Sequence, residues 1–233
     1  MDLIDLSRVT DQQATFDSFL HQVRDRFGFD HVAYLGANPV AGVMHGYVTY
    51  PEEWKQLYMT SDFHLIDPTL TMAQRSIAPV SWERLEHNAN FRTVFDKARD
   101  YDITSQGMTI PVRGPFGDTG LLSVTLNAGP AEWRSRIARS IGELQSVAVH
   151  MHDAVMNSDA LSGILRRTQL SSRETEILQW IAAGKSQQDV ADILGISIRT
   201  VEVHLRSARE KLYSLTTPQA VARAIALHLI YPL

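Results

Sequence analysis

Apolar residues return at three- and four-residue steps early in the chain: Phe16, Phe19, Leu20, Val23 and Phe27 predict an amphipathic helix over about 11–26, stopped by Gly28. The pattern then tightens. His31 to Leu35 and Met44 to Thr49 are strand-length runs, and Pro51 fits the first turn of a helix reaching about Met59, where its missing N–H costs nothing. An irregular stretch through Asp67-Pro68 leads to a short helix near 69–75. Met108 to Val112 and Leu121 to Leu126 are again strand-length, and the Gly/Pro/Asp-rich residues 113–120 between them are turn chemistry. The longest periodic run follows: Trp133, Ile137, Ile141, Leu144, Ala148, Met151 and Val155 line one face of a helix that needs covering. Short strands with helices at both ends predict an α/β fold, an α/β/α sandwich around an antiparallel sheet over 1–157. Residues 158–169 read as a linker, and 170–233 as an all-helical domain of four helices.

The C-terminal grammar is the more detailed. Ser171-Ser172-Arg173-Glu174 is a capping box opening a helix with Ile177, Leu178 and Ile181 inside, and Gly184 stops it. Ser186 to Asp189 opens a short second helix, with Asp standing where a box usually has Glu. After the turn Gly195-Ile196-Ser197, Ser197 caps a helix from Ile198 to Leu212 with Val201, Leu205, Ala208 and Leu212 buried. Thr217-Pro218 reads as an N-cap followed by proline at the first helical position, starting a last helix with Val221, Ala224, Ile225 and Leu229. A short helix, a tight turn and a longer helix with a polar outer face make a helix-turn-helix, whose longer helix enters a DNA major groove. The polar residues of that helix and its surroundings are the expected DNA contacts: Arg199 and Arg206 for bases or phosphates, Lys185, Arg209 and Lys211 for the backbone, with Thr200, Val203 and His204 on the same helix. A protein-docking helical bundle is the competing interpretation.

Charge agrees with that division. The chain has a net charge of −4, but residues 166–233 hold nine Arg/Lys against six Asp/Glu, a net +3, leaving −7 in 1–165. A composition of 44% hydrophobic and 21% charged residues argues against disorder. With no cysteine there are neither disulfides nor thiolate metal sites. No basic stretch precedes an apolar run at the N-terminus and no apolar run approaches bilayer length, so the expectation is a cytoplasmic protein without a membrane partner.

Around 50–82 the residues suit a small-molecule pocket. Tyr50, Trp54 and Tyr58 are four apart on one helix face, and Asp67, Pro68 and Trp82 follow. Indole and phenol rings give apolar surface with one polar tip each, and a lone buried carboxylate needs a donor such as a ligand amide. The plainer interpretation makes the aromatics core and Asp67 a cap on the turn before Pro68. Catalysis has no support: His31, His45, His64, His87, His150 and His152 lack metal-site spacing, no nucleophile stands beside a base, and Gly114 to Gly117 is a turn rather than a phosphate loop. No metal, cofactor or enzyme activity is expected.

Across essentially all 233 residues the sequence resembles the quorum-sensing, LuxR-type regulators of bacteria. The DNA-binding resemblance is carried by Leu170 to Glu174, Gly184-Lys185-Ser186, Ile193 to Ser197, Thr200-Val201, His204 and Lys211-Leu212. The narrower signature is Tyr50, Trp54, Tyr58, Asp67, Pro68, Trp82 and Gly107, similar to the autoinducer-binding domain that holds an N-acyl-homoserine lactone. The resemblance implies that Trp54 donates to the lactone carbonyl and Asp67 accepts from the ligand amide. It implies that Tyr50 donates to the acyl carbonyl with help from Ser123 or Thr125, that Tyr58 and Trp82 wall the head group, and that Gly107 leaves room beside it. It further implies a homodimer on a palindromic operator in double-stranded DNA, through the long helix 133–155 and Val221 to Leu229, with a contact to RNA polymerase. Residues 128–133 look like members that sense long acyl chains. Glu202 and Ser207 depart from the family's usual residues. Members that take a non-lactone ligand, or none, are the first alternative, and a ligand-processing enzyme is the second.

Overall fold

The computed structural model describes residues 12–38, 43–114, 117–157 and 169–231. The chain divides into two compact units, the second containing the C-terminal helices. In the first, α1 (Gln12–Phe27) leads to β1 (His31–Asn38) and β2 (Val43–Val48). Helix α2 (Glu52–Thr60), a 3-10 turn (Phe63–Leu65) and α3 (Pro68–Ala73) come next. Then come β3 (Val80–Ser81), a second 3-10 turn (Trp82–Arg84), α4 (Ala89–Arg99), β4 (Gly107–Arg113), β5 (Thr119–Thr125) and α5 (Pro130–Asn157).

The five strands form one sheet in the order β2-β1-β5-β4-β3, with β5 antiparallel to both neighbours. Ser123 faces Ala33 on one side and Thr109 on the other, so these three stand in a row on one face. Strand β1 alternates: Val32 and Tyr34 are buried, and His31, Ala33 and Leu35 are half-buried on the opposite face. Central β5 is buried from Gly120 to Thr125 because both of its faces are covered. On the Tyr34 side lie α1 and α5. The Phe16 ring packs tilted against Tyr47 at 5.0 Å, the Tyr34 hydroxyl meets His152 Nδ1 at 2.7 Å, and Leu20, Leu144 and Met151 are fully buried. On the Ser123 side a second core joins Trp54, Phe63, Trp82, Phe91, Val94, Phe95, Ala98 and Ile103. The architecture is the expected α/β/α sandwich.

Two helix starts differ from expectation. Pro51 is the N-cap of α2 and not a member of its first turn, and Asp67 is the N-cap of α3 with Pro68 inside the first turn. Helix α4 occupies a stretch for which the sequence carried no expectation. The anticipated linker lies outside the described residues except for Gln169, as do Pro115 and Phe116 of the β4–β5 turn.

The second unit comprises α6 (Ser172–Ala182), α7 (Gln187–Leu194), α8 (Ile198–Lys211) and α9 (Thr217–Ala226). Ser171 with Glu174 and Ser186 with Asp189 both complete capping boxes, so the shorter aspartate does reach back. Ser197 accepts from the Thr200 N–H to start α8. Gly195 closes α7 at a φ of +63°, a conformation that glycine adopts without a Cβ penalty. The cap of α9 is Thr216, one residue earlier than expected, which puts Thr217 ahead of Pro218 in the first turn. Ile177, Leu178, Val190, Val201, Leu205, Leu212 and Ala224 form the shared core.

Candidate ligand cavity and nucleic-acid interface

Between the sheet and the α2–α4 layer lies a cavity of about 260 Å³, near the low end for small-molecule sites. Its floor is Ala33, Leu35, Met44, Gly46, Val48, Leu121 and Ser123. The roof is drawn from α2 with Tyr50 before it, from Asp67, Thr69 and Leu70, and from Val94, Phe95 and Ala98 of α4.

Polar groups gather on one part of this wall. Trp54 and Tyr58, one helical turn apart, meet edge-on at 5.7 Å, and Trp54 also packs on Phe63 and Tyr101. Asp67 is buried. Its Oδ2 accepts from the Tyr58 hydroxyl at 2.8 Å, and its Oδ1 accepts from the Thr69 N–H at 2.8 Å and the Thr69 hydroxyl at 2.7 Å. Three of about four acceptor positions on the carboxylate are thus taken, and the helix cap and the cavity wall are the same residue. Burial pushes the Asp67 carboxyl above its ordinary value, opposed by hydrogen bonds from Thr69 and Tyr58 and by the amides at the start of α3. Burial first, and the nearby carboxylate second, raise the Tyr50 and Tyr58 phenols, which therefore stay protonated as donors. His31 holds the Tyr50 ring at 4.9 Å. From β4, the Arg113 guanidinium fastens the far end of α3, donating to the carbonyls of Ala73, Gln74 and Ser76 at 3.1, 2.7 and 2.8 Å.

Among the described residues the Trp54 indole N–H and the Tyr50 hydroxyl have no protein acceptor, and His64 Nδ1, also on the lining, has no partner. Trp82 differs, donating to Thr109 Oγ1 at 2.9 Å, which in turn shares a hydrogen bond with Ser123 Oγ at 2.9 Å. Tyr50, Trp54, Tyr58, Asp67, Trp82 and Ser123 all line the cavity; Gly107 and Thr125 do not. The room that Gly107 leaves is filled by Trp82, whose ring carbons Cδ2 and Cζ3 would lie 2.6 and 2.7 Å from any added Cβ. Thr125 is fully buried, with its hydroxyl unpaired. Sequence reasoning missed α4, although Phe91, Val94, Phe95 and Ala98 recur at helical spacing after the Asn88 cap. It also missed Thr69 and Thr109, single hydroxyls whose importance comes only from what they face.

On α8, Arg199, Glu202, Val203 and Arg206 form one exposed stripe at three- and four-residue steps, with Thr200 and His204 half-buried beside it. Lys185 is exposed at the start of the turn before α7. Two residues expected to contact the DNA backbone have partners within the protein. Arg209 Nη1 donates to the Leu215 carbonyl at 3.4 Å. Lys211 donates to both oxygens of Glu174 at 2.9 and 2.7 Å, and Ser207 adds a bond of 2.6 Å. Glu174 is 4% exposed, so its charge needs these donors. Burial pushes the Glu174 carboxyl up, but donation from Lys211, Ser207 and the Ser171 N–H outweighs it and holds the group at about 2.

A carboxyl depressed by folding stabilises the fold above its unfolded value of about 4.3, and that contribution is lost as pH falls toward the folded value. Lys211→Ala is expected to lower the stability of this unit by about 1–2 kcal/mol, short of a fully buried pair because the lysine is partly hydrated. Urea titration at pH 7 and pH 3 checks this: the difference between variant and parent should shrink at pH 3.

No group of three or more metal-ligating side chains is assembled among the described residues, and no helix there is long and apolar enough to cross a membrane. Comparison with known proteins matches residues 12–155 to the family described as "Autoinducer binding domain" and residues 168–224 to "Bacterial regulatory proteins, luxR family". The transcriptional activator RaiR of Rhizobium etli is 35% identical over 74% of this chain and 72% of its own length. The quorum-sensing regulator RhlR of Pseudomonas aeruginosa is 30% identical over 97% of this chain and 93% of its own. Among solved structures, SdiA in complex with octanoyl-rac-glycerol shares the fold with a TM-score of 0.72 at 22% identity, covering 98% of this chain and 93% of that one.

Proposed function

The chain belongs to the LuxR-type quorum-sensing transcriptional regulators, with an autoinducer-binding and a DNA-binding domain, and we propose that its signal is an N-acyl-homoserine lactone and its target a palindromic operator bound as a dimer. The observation that carries the ligand reading is the pair of unclaimed donors, Trp54 N–H and Tyr50 O–H, in one cavity with a carboxylate that has an acceptor position left. An acyl-homoserine lactone is the complement: two carbonyls to receive, one amide N–H to give. Trp54 takes the lactone carbonyl, Tyr50 the acyl carbonyl and Asp67 the amide. Tyr58 orients Asp67 and walls the ring with Trp82, while Ser123 offers its hydroxyl to the acyl carbonyl from the sheet side.

The sensor covers residues up to about 157 and the DNA-binding domain begins near 170, joined by 158–169. Arg199 and Arg206 contact bases or phosphates, with Val203 between them and Lys185 on the backbone. A helical unit this small reaches few phosphates, so a dimer on two half-sites supplies the affinity, through α5 and α9. The protein acts in the cytoplasm, where the chromosome is, and reaches RNA polymerase from the bound operator.

Ligand that binds only the folded sensor stabilises it by mass action, about 2.7 kcal/mol at a hundred times Kd, which is about 5–11 °C in melting temperature for a domain of this size. The test is thermal melting of the purified protein with a lactone series, alongside mass spectrometry of whatever copurifies. A shift with lactones, absent in Trp54→Phe, is expected; no shift with any lactone overturns the reading. The octanoyl-rac-glycerol held by SdiA suggests a second occupant, an acyl glycerol, which has carbonyl and hydroxyl groups but no amide; the same melts with a monoacylglycerol separate the two.

A further inference from the structure

The polar groups occupy only part of the cavity; the rest is apolar and leads to an edge. Its floor runs from Ser123 on central β5, across Ala33 and Leu35 on β1, to Met44, Gly46 and Val48 on β2, the outermost strand on that side. Strand alternation puts Met44, Gly46 and Val48 on the cavity face, opposite Tyr47, which packs on Phe16. Lys55 and Met59 follow Trp54 and Tyr58 by one residue, about 100° around the helix, and both line the cavity. Met44 and Met59 are 55% and 62% exposed although they line it. Gly46 is exposed as well, and a Cβ built there meets nothing within 4 Å. Lining residues that are also in solvent mark an opening, and at the β2 edge it has Gly46 in its floor beside the flexible thioether of Met44.

We propose that Gly46 forms an aperture at the β2 edge through which the end of a long, unbranched acyl chain leaves the cavity. The inference rests on the lactone reading above and deepens it by assigning the class of acyl group. With the amide held at Asp67, the acyl chain runs along the apolar floor toward β2. A sealed cavity sets a maximum length, because each further methylene must displace protein. An open edge sets none: methylenes beyond the rim lie over Met44 and still bury apolar surface. The missing side chain at position 46 therefore determines specificity by its absence.

The test is calorimetric titration of the purified full-length protein with butanoyl-, octanoyl- and dodecanoyl-homoserine lactone, for the parent, Gly46→Ala and Gly46→Phe. The readout is the ratio of dodecanoyl to butanoyl affinity, from which a uniform loss of folded protein cancels. In the parent, dodecanoyl should bind at least as tightly as octanoyl. Gly46→Phe should lower the ratio at least tenfold while changing butanoyl affinity less than twofold, with Gly46→Ala in between. An unchanged ratio in Gly46→Phe, or a parent that takes butanoyl and rejects dodecanoyl, overturns the aperture and leaves the lactone reading standing. Failure of the parent to bind any of the three lengths overturns the lactone reading itself, and the aperture with it.

Discussion

Asp67→Asn is expected to leave the ligand-free protein as stable as the parent, or slightly more so, while weakening lactone binding by about 2–3 kcal/mol, roughly 30- to 140-fold. The two effects have separate causes. As the cap of α3, the residue accepts from the Thr69 N–H, and asparagine caps about as well as aspartate. Its amide can still meet the Tyr58 hydroxyl. What disappears is a group whose ionised form burial disfavours. Because burial raises the Asp67 carboxyl above its unfolded value, ionisation opposes folding: the cost is absent below the ordinary carboxylate range and complete above the raised folded value. At neutral pH the parent carries that cost and the amide variant does not. Bound ligand reverses the account, since an amide N–H in the remaining acceptor position needs the carboxylate, and the asparagine NH₂ would confront it donor to donor. Thermal melts of both proteins, with and without octanoyl-homoserine lactone, read both effects at once. If Asp67→Asn melted several degrees lower without ligand, the residue would be chiefly structural; undiminished affinity would remove it from the site.

The same residue marks how far the sequence could be read. That Asp67 stands before Pro68 was consistent with a cap, and its place beside Tyr50, Trp54 and Tyr58 with a pocket; the structure makes both true at once. Helix starts were legible because a cap is decided within four residues, as at Ser171, Ser186 and Ser197. The strands of the central sheet were legible from their apolar runs. Two-residue β3 was not, since so short a strand exists only through pairing with Thr109 and Met108. Lys211 carried no local mark of its role either. A lysine at the end of a groove-facing helix looks like a phosphate contact, and its engagement with Glu174, 37 residues away, follows from the packing of α6 against α8. Contacts across long sequence separations are what periodicity and capping chemistry cannot encode.

Gly107 is the sharpest case of such a contact, and Gly107→Ala is expected to destabilise the sensor by about 2–3 kcal/mol and to abolish the ligand response with it. The β3–β4 register pairs Ser81 with Met108, so the chain leaving β3 sets Trp82 down on Gly107. An added methyl would sit well inside contact distance of three carbons of the six-membered ring. The indole can give way only by losing contacts. It meets Phe95 edge-on at 5.6 Å, and its N–H is tied to Thr109, which holds Ser123 in the cavity floor. Moving the ring therefore breaks the Trp82–Thr109–Ser123 relay or drives the indole into the cavity, so fold and site suffer together. A double-mutant cycle separates this from a general intolerance of alanine in β4. In Trp82→Phe the fused ring system is gone, and Gly107→Ala added to that background should cost at least 1 kcal/mol less than in the parent. Equal costs in the two backgrounds, measured by urea denaturation, would mean that Gly107 serves the strand and not the indole.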